Sequence, residues 1–108
     1  MSRGKTDDLI FKALADNRRR ELLDLLRDEP KTTTDLCSSF KKLNRCTVMQ
    51  HLGVLEKAGL IFVKKKGRFR WNYLNVVPIR DIYDRWINQY ASPSVTLLAK
   101  LKHDMEKG

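Results

Sequence analysis

Several residue types are scarce in this chain of 108 residues, and each scarcity excludes something. There are only two cysteines, Cys37 and Cys46, in neither CxxC nor CxxH spacing. A disulfide framework and a structural zinc site are therefore both poorly supported. Only two histidines are present, and neither has a second His or Cys at helical spacing, so no metal ligand set is expected. No apolar run approaches the ~20 residues that span a bilayer. The segment MSRGKTDD lacks the apolar core of a secretory signal, which predicts a cytoplasmic protein with reduced thiols and no membrane partner. Phosphate-binding glycine loops, Ser/His/Asp spacing and paired carboxylates in apolar surroundings are also missing, so no enzymatic chemistry and no cofactor are expected.

The last scarcity is local. Residues 41–70, KKLNRCTVMQHLGVLEKAGLIFVKKKGRFR, hold nine of the 22 Lys and Arg but, of the 13 acids, Glu56 alone. That segment carries +8 of a net +9, whereas the first 40 residues are charge-neutral. Such a concentration is the electrostatic footprint of a surface that meets a polyanion, most often nucleic acid.

The pattern around it predicts a mainly α domain with a small β-hairpin. Leu9, Ile10, Phe11 and Leu14 suggest a short first helix with Asp7 and Asp8 near its start. Asn17 is a good N-cap for a second helix, which runs to about Asp28 before Pro30. Thr32 to Thr34 offer caps for a third, carrying Leu36, Cys37 and Phe40. Asn44 caps a fourth, in which Val48, Leu52 and Leu55 line one face and Gly59 ends the helix. Two helices over about 33–41 and 45–58, joined by so short a turn, have the shape of a helix-turn-helix. Leu60–Val63 and Phe69–Leu74 then flank Lys66-Gly67-Arg68 as a hairpin. After Pro78 the residues Ile79, Ile82, Tyr83, Trp86, Ile87 and Tyr90 form one helical stripe, too large for so small a domain to cover. It reads as half of a subunit interface. Past Ser92-Pro93, Val95, Leu97, Leu98, Leu101 and Met105 suggest a helix or frayed tail. The expected division is a domain over 1–92 and a tail over 93–108.

On the 45–58 helix, Cys46, Gln50, Gly53 and Lys57 point away from the apolar stripe, with Arg45 and Met49 beside them. An acid-free face bearing an amide and a guanidinium suits the major groove, where Gln pairs with adenine and Arg with guanine. Gly53 weakens a helix by about 1 kcal/mol relative to alanine, which suggests close approach of another backbone. The hairpin cations Lys64, Lys65, Lys66, Arg68 and Arg70 are placed to hold phosphates. His51 lies at the margin of the core-facing side.

FKALADNRRRELLDLLRDEP, LNRCTVMQHLGVLEKAGLI and VKKKGRFRWNYLN together resemble the opening helices, recognition helix and wing of the ArsR-type winged-helix transcriptional regulators. The likeness spans about residues 9–75. PIRDIYDRWINQYA resembles the tail of a subgroup without the usual metal sites. The resemblance implies a dimeric winged helix-turn-helix that binds double-stranded DNA at a palindromic operator and represses transcription. It implies base contacts from Arg45, Cys46, Met49 and Gln50. Phosphate contacts would come from Thr33, Lys42, Asn44, His51 and the hairpin cations, with Lys65, Lys66 and Arg68 at the wing tip. Dimer contacts would come from Leu9 and Ile10 of the first helix and from the stripe after Pro78. Metal sensing does not carry over: Thr33 and Thr34 stand where sensing members have Cys-Val-Cys, and residues 78–90 hold Asp81 and Asp84 without a histidine. The inducer is unknown.

Two other readings remain at this point. One is an RNA-binding or protein-interaction winged helix. Phe69, Trp71 and Tyr73 share one face of a strand, and exposure of that face would favour RNA, burial duplex DNA. The other is a thiol- or metal-responsive sensor using Cys37 and Cys46.

Overall fold

The computed structural model describes residues 3–91 and 93–107, with side-chain surroundings for 4–91 and 97–107. The chain divides into two compact units, residues 1–78 and 79–108. The first opens with α1 (Arg3–Leu14) and α2 (Asn17–Leu26), followed by β1 (Lys31–Thr32) and α3 (Thr33–Ser39). It continues with α4 (Arg45–Lys57), β2 (Ile61–Lys66) and β3 (Phe69–Leu74). Helix α5 (Val77–Arg85) leads into the second unit, which holds a short 3-10 turn over Ile87–Tyr90 and α6 (Pro93–Lys107). Among the described residues no helix is long and apolar enough to cross a membrane.

Side-chain caps set the starts of α2, α3 and α4. Asn44 Oδ1 accepts from Thr47 N at 2.8 Å and opens α4, and Thr32 Oγ1 accepts from Asp35 N at 3.1 Å and opens α3. For α2 the cap is Asp16, which accepts from Arg18 N at 2.8 Å; Asn17, expected in that role, is the first helical residue. The first helix begins earlier than expected, so Asp7 and Asp8 lie within α1 rather than at its N-terminus. Helix α4 closes with Gly59 at φ +77, where Gly59 N donates to Glu56 O and Leu60 N to Leu55 O, both at 2.9 Å. That is a Schellman ending, with Leu55 and Leu60 both fully buried beneath it.

The core of the first unit is Ile10 and Ala13 of α1, Leu22, Leu23 and Leu26 of α2, Leu36 of α3, and Val48, Leu52 and Leu55 of α4, with Ile61 from the sheet. The expected hairpin is there, joined by Gly67 and Arg68 between the paired residues Lys66 and Phe69. Gly67 has φ +62, as the first residue of a type II′ turn requires. The sheet also has a third strand that local pattern did not suggest. β1 pairs antiparallel with β3, so the order is β1-β3-β2. Buried Asn72 secures this junction, donating from Nδ2 to Lys31 O at 3.2 Å and to Thr33 Oγ1 at 3.1 Å.

In the second unit the stripe expected on one helix is split, because α5 ends at Arg85 and Ile87–Tyr90 continue as a 3-10 turn. No glycine or proline marks that break. Arg80 pairs with Asp84 at 3.2 Å and Arg85 with Asp81 at 3.1 Å, and Trp86 meets Tyr90 edge-to-face at 5.5 Å. On α6, Leu97, Leu98, Leu101 and Met105 are all exposed. Ser92 lies outside the described residues, as does the Val95 side chain.

Candidate nucleic-acid interface

Helix α4 separates its two faces cleanly. Val48, Leu52 and Leu55 are buried, while Arg45, Cys46, Met49 and Gln50 are exposed together on its first two turns. Lys42 and Asn44 are exposed just ahead of them. The N-terminal end of α4 thus offers partial positive charge, one guanidinium, one amide and two soft side chains, with no acid in its first turn. Gly53 was expected to meet another backbone closely. A Cβ built there would touch nothing within 4 Å, so among the described residues no packed helix accounts for it.

The hairpin cations do not act as one cluster. Paired residues share a face, and successive residues alternate. Ile61, Val63 and Lys65 therefore lie with Leu74, Asn72 and Arg70, and this is the face turned toward α4. Half-buried Arg70 shares a cleft of about 50 Å³ with Met49, Gly53 and Glu56 of α4. The opposite face carries Phe62, Lys64 and Lys66 beside Tyr73, Trp71 and Phe69. Arg68 lies in the turn, its guanidinium 5.9 Å from the Phe69 ring centre. The aromatic face is open at Phe62 and Phe69, 58% and 49% exposed, and half-buried at Trp71 and Tyr73.

Two expected phosphate contacts are corrected. Thr33 is 2% exposed, with its hydroxyl accepting from Asn72. His51 is 8% exposed, and its Nδ1 lies 3.3 Å from Arg19 Nη1. A guanidinium only donates, so Nδ1 is the acceptor and the neutral ring carries its proton on Nε2, a buried atom with no hydrogen-bond partner among the described residues. Burial pushes the His51 pKa below its ordinary value; Arg18 and Arg19 add to this, and Asp16 opposes it. Asp16 behaves differently. Burial raises its carboxyl, but hydrogen bonds and charge from Arg18 outweigh that and hold the pKa at about 2. Arg19 also donates to Ala13 O at 2.7 Å and Lys12 O at 2.9 Å, at the end of α1. No sequence pattern pointed to this cluster, because its members come from three helices.

Two expected dimer contacts are corrected as well. Ile10 is 2% exposed and belongs to the core, and Ile82 is 3% exposed. Leu9 and Ile79 are half-buried, and Tyr83, Trp86, Ile87 and Tyr90 are exposed. Both cysteines are free thiols, Cys37 half-buried and Cys46 exposed. Among the described residues no three His, Cys, Asp or Glu side chains gather into a metal-binding group.

Residues 16–62 match the model of the family described as bacterial regulatory protein, arsR family. The chain is 36% identical over 86 residues to the uncharacterized HTH-type transcriptional regulator YuzN of Bacillus subtilis (strain 168), an alignment covering 74% of this chain and 94% of the relative. This chain belongs to the ArsR family. This ArsR-family chain is also similar to the transcriptional repressor SdpR of the same organism, 32% identical over 79 residues, covering 73% of this chain and 87% of SdpR. A crystal structure of an ArsR family transcriptional regulator superposes with TM-score 0.75 at 29% identity, covering 83% of this chain and 92% of the other. The homodimeric winged helix-turn-helix DNA-binding domain from Mycobacterium bovis shares the fold, with TM-score 0.64 at 22% identity over 92% of this chain and 84% of that one. The fold is thus a winged helix-turn-helix, with α3 and α4 as the paired helices and β2–β3 as the wing. The ArsR-family chain is a DNA-binding transcriptional regulator, and its relatives are regulators rather than enzymes.

Proposed function

We propose that this regulator is a repressor that acts as a homodimer on a palindromic operator. In this reading α4 enters the major groove, and Arg45, Cys46, Met49 and Gln50 meet base edges there. Lys42, Asn44, Lys65, Arg68 and Arg70 hold the phosphates alongside, since Lys65 and Arg70 share the wing face turned toward α4. Lys64 and Lys66, on the other face, add longer-range attraction. The observation that carries the reading is the acid-free, exposed N-terminal face of α4 standing on a fully buried apolar stripe. SdpR's name as a repressor and the homodimeric state of the Mycobacterium bovis domain support the finer points. The dimer would use Leu9 and Phe11 of α1 with Ile79, Tyr83, Trp86, Ile87 and Tyr90, without Ile10 and Ile82. Residues 1–92 would then be the binding domain and the main dimerisation domain, and 93–108 a tail whose exposed leucines, Leu101 among them, add to the self-association.

A mobility-shift assay on the DNA flanking its gene tests this, with half-sites expected about 10 bp apart or slightly more. Binding should weaken steeply with salt. Gln50→Ala should relax base preference at one position per half-site, at a cost of about 1–3 kcal/mol on the preferred sequence. Lys65→Ala should weaken all sequences alike and flatten the salt dependence. Absence of any sequence-selective, salt-sensitive shift across a genomic library would sink the proposal.

A further inference from the structure

The outer face of the wing has a composition that contact with duplex DNA through α4 does not use. Across the β2–β3 ladder it pairs Phe62 with Tyr73, Lys64 with Trp71, and Lys66 with Phe69. It is a face of four aromatic side chains edged by two ammonium groups, and neither strand contains an acid. Along β3 its rings stand at alternate residues, about 6.6–6.8 Å apart, so successive rings can each receive one unstacked base. The rings at the margins are the most open, Phe62 at 58% and Phe69 at 49% exposed. Arg68 over Phe69 extends the cationic edge round the turn. Asp28 and Glu29 stand at the far end beside Tyr73 and pair with Arg27 and Lys31, and Glu56 lies in the cleft on the opposite face of the wing. Among the described residues no ion pair involves Lys64, Lys66 or Arg68, at the turn half of the face.

We propose that this face binds single-stranded DNA, with bases stacked on Phe62, Trp71 and Phe69 and phosphates held by Lys64 and Lys66. Stacking aromatics interleaved with cations are the recognised physical basis of single-strand binding, and every base has a face to stack. Exposure of this face by itself suits RNA as well as DNA; the choice of DNA rests on the reading of α4 above, which makes DNA the nucleic acid this chain meets, and oligouridylate is the arm of the test that separates the two. The face is turned away from α4, so both surfaces can be occupied at once.

Trp71 reports directly on the face. Trp86 is the other tryptophan, so the quenching that is present in the natural chain and lost in Trp71→Phe is the Trp71 signal. The full chain is titrated with a fluorescein-labelled oligothymidylate of about 15 nucleotides, with an oligouridylate of equal length, and with operator duplex. The oligothymidylate should bind and quench Trp71. Phe62→Ala with Phe69→Ala, both exposed positions, should weaken it roughly tenfold or more while leaving duplex affinity within about twofold. Lys64→Ala with Lys66→Ala should weaken it and flatten its salt dependence. Binding that survives the aromatic pair unchanged would mean charge alone is at work and would overturn the proposal. So would an unquenched Trp71, a clear preference for oligouridylate, or a parallel loss of duplex binding. A wild-type chain that binds oligothymidylate but no duplex would instead overturn the operator reading.

Discussion

Helix α4 and the helices after the wing carry the same kind of apolar stripe and meet opposite fates. Val48, Leu52 and Leu55 repeat at helical spacing and are buried by α1, α2, α3 and the sheet. Tyr83, Trp86, Ile87 and Tyr90, then Leu97, Leu98, Leu101 and Met105, repeat just as regularly and remain exposed. Periodicity announces that a face will be covered but does not say by what. In α4 the cover is the same chain, so the opposite face is free to meet a ligand. In the second unit Ile82 is covered, but Tyr83, Ile87, Tyr90 and the α6 leucines keep large exposed areas, and the proposed second chain would supply their cover.

The sharpest way to break that comparison is to truncate one leucine from each stripe. Leu55→Ala removes a side chain with no exposed area and should cost about 2–5 kcal/mol in urea denaturation. Leu101→Ala, 53% exposed, should leave protomer stability within about 0.5 kcal/mol yet weaken self-association in sedimentation equilibrium. A large stability loss from Leu101→Ala in dilute, monomeric protein would mean its stripe is already covered within the chain.

Acid should strike the first stripe from behind. The folded-state pKa of His51 lies below its unfolded value, so the unfolded chain binds the extra proton first. Stability contributed by the neutral ring is full above about pH 6.5 and is lost as pH falls below it. Asp16, held at about 2 against 3.8, contributes stability above pH 3.8 that is lost toward pH 2. The urea midpoint followed across pH should fall in two stages, and His51→Gln should remove the upper one. A midpoint flat from pH 7 to 5 would contradict the buried neutral histidine.

Gly53→Ala should have the smallest and most diagnostic effect. Its Cβ would enter open space, so the folded protein should gain up to about 1 kcal/mol. If DNA is the backbone that approaches here, operator affinity should fall at the same time, as read by anisotropy. A variant that is more stable and binds equally well would remove Gly53 from the interface.

Much of this was legible in the chain wherever the signal was local. Thr32, Asn44 and Gly59 were each readable because a cap needs only its own neighbours. Asp16 was missed by one position since Asp and Asn cap comparably, and only backbone geometry chooses between them. Strand β1 was unreadable: a Lys-Thr pair has no alternation, and it is a strand only because β3 lies beside it. The buried states of Thr33 and His51 were hidden for the same reason, their partners Asn72 and Arg19 lying 39 and 32 positions away. The division of the wing cations into two faces depended on register, which a one-residue slip would have reversed.

Arg19 has a mechanical meaning. One guanidinium holds the last carbonyls of α1 and the imidazole of α4, so the two helices share a fastening. Turning α1 about its axis would draw on that fastening and tilt the helix whose other face carries Arg45 and Gln50. The helix that presents those side chains is thus tied, through one residue, to the far side of the domain.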